Sequence, residues 1–226
     1  MASSPNPILC AVLDGSALGP DPGRFAEALF AAGVDWIQLR DRTLEDEPLY
    51  RLARTLARAA HDRPGRRVLV NRRADIALAA GADGVHLGFD AIDSKSARAL
   101  LGNDAWIGAS LHSPDDFEAA AGSDLSYAHL APIWDPKSKP ASRPALGLEA
   151  LARAATFGLP VLAQAGLDAG RARLAIGAGA AGVAVTGQLS GSADPAAIAA
   201  ELRRGLDQAS EPAGSNPRNQ SAPAGY

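Results

Sequence analysis

The chain has 226 residues, near the upper end of one ordinary domain and a usual length for a single α/β barrel. A formal net charge of -3 provides no global field to hold nucleic acid or an anionic membrane, so an anionic ligand has to be gripped by a local cluster of cations. The single cysteine, Cys10, excludes an internal disulfide and a thiolate metal set, while 47% hydrophobic but only 5% aromatic residues imply a core of small side chains with close helix-on-sheet packing.

The first apolar run, ILCAVLD at 8–14, reads as a strand that buries Cys10. No basic region precedes it and it is far too short to span a bilayer, so neither secretion nor membrane insertion is expected and the expected location is the cytoplasm. A helical pattern at 21–32 leads to the strand WIQLR at 36–40, where alternation turns Ile37 and Leu39 toward helices and Trp36, Gln38 and Arg40 inward. After a helix at 44–60, RVLVN at 67–71 likewise turns Asn71 inward, and a helix at 73–80 leads to GVHLG at 84–88 with His86 inward. A helix at 94–101 precedes WIGAS at 106–110, whose parity carries on to leave Ser110 and His112 on the inward course. The remaining strands are LSYAHLA at 125–131, PVLAQAG at 160–166 and GVAVTG at 182–187, with helices at 114–121, 147–157, 169–177 and 194–208.

Eight strands each followed by a helix predict a closed (β/α)8 TIM barrel over 8–208, ahead of an open doubly wound sheet. Residues 1–7 form a short extension. From 209 to 226 the chain is rich in Pro, Ser, Asn and Gly without an apolar period, and a disordered tail is expected there.

In such a barrel, function sits at the C-terminal strand ends. Arg40 and Arg42 close the second strand, and Lys137 and Lys139 lie in the loop APIWDPKSKP, together a cationic rim suited to a phosphate or diphosphate. The glycine-containing segments QAGLDAG and GVAVTGQL end the seventh and eighth strands, where backbone commonly cradles phosphate, although a purely structural turn explains bare glycines as well. Of the histidines, His61 ends a polar helix and reads as solvated, and His86 reads first as a satisfied lumen side chain, with substrate or phosphate binding as its other reading. His129 is either packed beside Tyr127 or pointed at the mouth. His112, directly after the strand carrying Ser110, is the candidate for moving a proton near neutral pH.

The segments WIQLRDR, VNRRADIALAAGADGVHLG, GASLHS, APIWDPKSKP with ALGLEAL, and VLAQAGLDAG with GAAGVAVTG resemble, in order and spacing, the thiamine phosphate synthase superfamily, which includes the thiazole tautomerases called TenI. The resemblance covers residues 8–208. It implies a synthase that joins a pyrimidine diphosphate to a thiazole phosphate, with Mg²⁺ neutralising the leaving group. It also implies that Gln38, Arg40, Asn71, Ser110 and Lys139 hold the pyrimidine or phosphates, with Arg42 at the position of a usual lysine, and that Gly166, Thr186 and Gly187 hold the thiazole phosphate.

Several positions depart from the synthase pattern. Asn-Asp-Arg becomes Asn71-Arg72-Arg73, and Phe89 and Ala91 replace a glutamine and a second acidic metal ligand, leaving Asp90 adjacent to the ligand position. Gly-Gly-Ile becomes Ala165-Gly166-Leu167, and a threonine-rich loop is reduced to Pro136 and Ser138. A guanidinium in place of a carboxylate removes an oxygen ligand and adds a like charge, which argues against an ordinary Mg²⁺ site. The tautomerases lack the acidic pair and carry a histidine where this chain has Ser110-Leu111-His112. On the sequence the preferred reading is therefore a metal-independent thiazole tautomerase with His112, assisted by Ser110, as proton shuttle and with no cofactor. The alternative is a divergent synthase, with Mg²⁺, in which Arg72 replaces part of the metal's charge; a non-catalytic binder of thiazole or thiamine phosphate stands third. All three take small-molecule phosphates as partners, neither nucleic acid nor a membrane.

Overall fold

The computed structural model describes residues 6–61, 63–135 and 143–210. Eight parallel strands close into a barrel: β1 (Ile8–Leu13), β2 (Trp36–Leu39), β3 (Arg67–Asn71), β4 (Gly84–Leu87), β5 (Trp106–Leu111), β6 (Tyr127–Leu130), β7 (Val161–Gln164) and β8 (Gly182–Val185). The ring is sealed by β8 pairing with β1, Ile8 opposite Gly182 and Ala11 opposite Val185. The helices are α1 (Pro22–Ala31), α2 (Asp46–His61), α3 (Ala74–Ala80), α4 (Ser94–Leu101), α5 (Pro114–Ala119), α6 (Gly147–Ala155), α7 (Ala169–Gly177), α8 (Gly187–Ser190) and α9 (Pro195–Ser210). The expected TIM barrel is the observed architecture, and no helix among the described residues is long and apolar enough to cross a membrane.

Helix starts follow local chemistry. Asp21, Asp93 and Asp168 cap α1, α4 and α7 by accepting backbone N–H groups, and Ser113 with Asp116 forms a reciprocal capping box on α5. The last helix continues to Ser210, beyond the expected limit at 208, while the tail expected to be disordered lies from 211 onward outside the described residues. Alpha-helix α8 was not anticipated, because four residues are too few to display a helical period.

Strand parity divides the interior into two layers. Ile37, Leu39, Val68 and Val70 are buried between barrel and helices with Phe30, Leu49 and Leu56, while Cys10, Val12, Trp36, Leu69, Tyr127, Leu162 and Ala184 fill the lumen. Few as the aromatics are, three of them meet there: Trp36 stands edge-on to Trp106 and Tyr127, at 5.0 Å in each case. Glycines make the room. A Cβ on Gly108 would lie 2.1 Å from Tyr127 Cζ, and one on Gly84 would lie 1.8 Å from the Trp106 carbonyl oxygen.

The N-terminal end of the barrel is fastened by charge. The carboxylate of Asp35 accepts the Leu9 N–H at 2.9 Å, pairs with Arg66, and takes Arg203 of α9 at 3.0 Å, and Arg203 also reaches the Pro7 carbonyl at 2.9 Å. One aspartate thereby ties the final helix to the first two strands, at the face where barrels hold stability rather than chemistry. Overpacking the lumen is the sharpest test of this arrangement. Gly108→Ala is expected to destabilise by about 1–3 kcal/mol, read as a fall in Tm of about 2–4 °C per kcal/mol at this chain length; an unchanged Tm would remove the close-packing argument.

Candidate active site

Four polar side chains are buried in the described chain, Gln38, Asn71, His86 and His129, and all belong to inward positions toward the C-terminal ends of β2, β3, β4 and β6. The Gln38 amide nitrogen donates to Asn71 Oδ1 at 3.1 Å. That bond leaves Gln38 Oε1 and Asn71 Nδ2 buried without partners, one acceptor and one donor side by side. Reversing both amides would leave the same complement of one donor and one acceptor. Because an unmatched buried polar atom costs about 1–3 kcal/mol, the pair gains most from a ligand that supplies the opposite pattern.

Beside it, His86 bridges two hydroxyls, with Nδ1 3.0 Å from Tyr127 Oη and Nε2 2.9 Å from Ser110 Oγ. Burial, then the neighbouring His129 and Arg40, hold the His86 imidazole well below its ordinary value, and burial pushes the Tyr127 phenol up. Both are therefore neutral near pH 7. The phenol O–H has no other hydrogen-bond partner among the described residues, so it donates to Nδ1; the imidazole then donates from Nε2 to Ser110, whose own O–H is free for the mouth. Both ring nitrogens of His86 are thus engaged by protein, as the lumen reading expects, which leaves none for a phosphate. Its ring lies 4.3 Å from that of His129, which burial pushes down to about 3, with Gln164 opposing. So His129 is packed in the lumen near Tyr127, 5.6 Å away, and is not directed at solvent. His112 is exposed, and its Nδ1 lies 3.1 Å from the Ala131 carbonyl, which fixes Nδ1 as the donor and leaves Nε2 as the basic atom.

Cations gather around this layer. Arg40 follows β2, and desolvation, then Arg42, hold its guanidinium below the ordinary value. Neither Arg40 nor Arg42 makes an ion pair among the described residues, whereas Asp41 between them pins the loop by accepting from Gly15, Thr43 and Leu44 at 2.8–3.0 Å. Lys137, Lys139, Pro136 and Ser138 lie outside the described residues. The two consecutive arginines after β3 have separate fates. Arg73 is bound to Asp75 and to Asp46 of α2, a structural clasp. Arg72 lies in left-handed backbone at φ 67°, donates its N–H to the His86 carbonyl at 2.9 Å, and pairs with Asp90 at 2.9 Å. Asp93, further along the same loop, is committed to Ser96 as the cap of α4.

The last two loops complete the mouth. Strand β7 is followed by two left-handed residues, Ala165 at φ 80° and Gly166 at φ 65°. A Cβ on Gly166 would lie 2.6 Å from the Asp135 carbonyl oxygen, and Arg171 donates to the Gly166 carbonyl at 2.6 Å. Gln164 donates to Thr186 at 3.3 Å, and Thr186 opens α8 without a side-chain cap, so the first amides from Gly187 are left for solvent or an anion. A groove of about 380 Å³ flanks α7 to α9 and shares Gly187, yet Asp168 and Glu201 line it and disfavour an anion. Sequence reasoning did not single out Gln164, Tyr127 or Arg171. Parity alone turns Gln164 inward beside the named strand-end residues, while nothing local signals that Tyr127 reaches His86.

The family model described as "Thiamine monophosphate synthase" matches residues 9–189. The thiamine-phosphate synthase of Mycobacterium bovis is 41% identical over 201 residues, which cover 84% of this chain and 90% of the relative. That of Chlorobium limicola is 37% identical over 199 residues, 87% of this chain and 92% of the relative. The structure of a thiamine phosphate pyrophosphorylase from Pyrococcus furiosus superposes with a TM-score of 0.77 at 25% identity, covering 90% of this chain and 98% of that one.

The buried histidines give the site a pH signature. Both have folded values below the ordinary 6.5, so the unfolded chain takes up protons first and stability is lost as pH falls through that value, for His129 down to about 3. Each histidine is expected to cost about 1.4 kcal/mol per pH unit across its window. Urea midpoints between pH 7.5 and 5 should fall accordingly, and His129→Asn should flatten the slope; an identical slope in the variant would place the proton uptake elsewhere.

Proposed function

The chain belongs to the thiamine monophosphate synthase family, and on that premise we propose that it is a thiamine phosphate synthase that joins hydroxymethylpyrimidine diphosphate to thiazole phosphate. The pyrimidine's methylene carbon loses diphosphate with the bonding pair, the thiazole nitrogen supplies the pair for the new C–N bond, and the products are thiamine phosphate and pyrophosphate. The observation that carries the reading is the Gln38–Asn71 amide pair with its free acceptor and donor, since an aminopyrimidine edge offers an amino donor beside a ring-nitrogen acceptor. Arg40 and Arg42, with Lys139, supply charge for the diphosphate, and Ser110, oriented by His86, donates into the same space. The thiazole phosphate is assigned to the backbone at Gly166, Thr186 and Gly187. The partners are small phosphates, and the working location is the cytoplasm.

This reading exchanges the order of the two enzymatic possibilities weighed on sequence. Names of relatives support synthesis over tautomerisation. The family implies Mg²⁺, but the residues present do not fit a protein-held ion: a guanidinium and Ala91 stand at the two acidic positions, and no three of the described His, Cys, Asp or Glu side chains converge as ligands. A second reading, isomerisation of a thiazole carboxylate phosphate, is favoured by one observation, the fixed tautomer of His112 with basic Nε2 at the mouth.

Purified protein incubated with the pyrimidine diphosphate and thiazole phosphate is expected to form thiamine phosphate and pyrophosphate in equal amounts, and no product under any metal condition would end the synthase reading. Asn71→Ala is expected to lower kcat/KM about tenfold to a hundredfold by removing a hydrogen bond and leaving its partner unmatched. For the second reading, His112→Asn should abolish isomerisation of the thiazole; a variant that isomerises at the wild-type rate would eliminate it.

A further inference from the structure

We infer that the Arg72 guanidinium, held by Asp90, is a built-in diphosphate site that takes the place of a protein-bound divalent cation. The inference rests on the diphosphate reading of the mouth. Four observations meet at this side chain. Arg72 follows Asn71 of the amide pair directly, and its own amide is fixed to the His86 carbonyl, so it is anchored to the polar layer. It occupies φ 67°, a region that asparagine or aspartate enters far more readily than arginine, and such local strain concentrates where a side chain has a task. Its Nε is buried without a partner, and Asp90 engages only one terminal nitrogen. The stem packs across Gly88, where an added Cβ would lie 3.5 Å from Arg72 Cγ, so the next loop supports it.

Charge bookkeeping supports the substitution. Two carboxylates with one divalent cation sum to zero, and so does Arg72 with Asp90, so the mouth has the net charge of a loaded metal site without the ion. The remaining guanidinium N–H groups supply the planar, paired donors that suit phosphate oxygens, and Arg40 and Arg42, without an ion pair among the described residues, extend the positive field. Asp90 serves as a resident counter-ion that an incoming diphosphate displaces from part of the guanidinium; its side chain is 43% exposed, so its release into water costs little.

The test compares binding of pyrophosphate and thiamine phosphate formation in chelator and in excess Mg²⁺, using the full chain. Wild type is expected to bind pyrophosphate in chelator, measured by calorimetry, and to turn over there at a rate similar to that with Mg²⁺. Arg72→Gln should weaken chelator-phase pyrophosphate binding about tenfold to a hundredfold, and Asp90→Asn, which frees the guanidinium without touching the core, should tighten it. The double change Arg72→Asp with Ala91→Asp should convert the protein to strict Mg²⁺ dependence in binding. Pyrophosphate binding by wild type only with Mg²⁺, or Asp90→Asn losing Mg²⁺-dependent binding, would overturn the inference and make Asp90 a metal ligand. Absence of turnover with intact, Arg72-dependent pyrophosphate binding would instead end the synthase reading and leave this site standing.

Discussion

The pairing of β8 with β1 is the constraint on which the rest depends. A closed parallel sheet has no edge, and closure fixes every strand's rotation about its axis, so alternate side chains have only the lumen to enter. Space there is short. The aromatic trio of Trp36, Trp106 and Tyr127 is admitted because Gly108 presents no side chain to the Tyr127 ring and Gly84 none to the Trp106 backbone, and this packed plug supports the polar layer above it. The Asp35 clasp, by tying α9 to β1 and to the start of β3, reinforces the same closure from the opposite end.

Above the plug the barrel is arranged in electrostatic layers. His86 and His129 are kept neutral by burial, and Arg40 adds to the cost of charging His86. Their neutrality is useful beneath a cationic rim, because an imidazolium there would repel Arg40 and take from the Tyr127 O–H the acceptor it has at Nδ1. The layer therefore orients groups without exchanging protons near neutral pH. That property suits a reaction whose difficulty is the departure of an anion, in which charge stabilisation outweighs acid–base work. The chain's departure from the family pattern at 72 and 91 lies in the layer of charge, while the amide pair below it is hydrogen-bonded between β2 and β3, two residues beyond the register that sets Gln38 opposite Leu69.

Much of this was legible from composition and period. Eight apolar runs alternating with amphipathic segments specify the barrel, and the two-residue period of strands assigns Gln38, Asn71, His86 and Ser110 to one space with no knowledge of their partners. Caps such as Asp93 and the Ser113–Asp116 box act over three residues and are equally readable. Other features depend on distances between strands. That Tyr127 satisfies His86, that His129 packs against His86, and that three aromatics share the lumen with small and aliphatic side chains all follow from register and from glycines opposite bulky neighbours.

The doublet Arg72-Arg73 marks the division. Its sequence establishes two cations at the end of a strand and the loss of a carboxylate from a familiar pattern. Only the tertiary structure separates them, directing Arg73 to Asp46 and Asp75 and Arg72 to Asp90, since a backbone turn into the left-handed region sends adjacent side chains to different neighbours. Local sequence thus determined which elements form and which faces they bury. Which charges meet was decided by the folded chain, because a pairing energy depends on separations of a few ångströms between residues that the sequence places far apart.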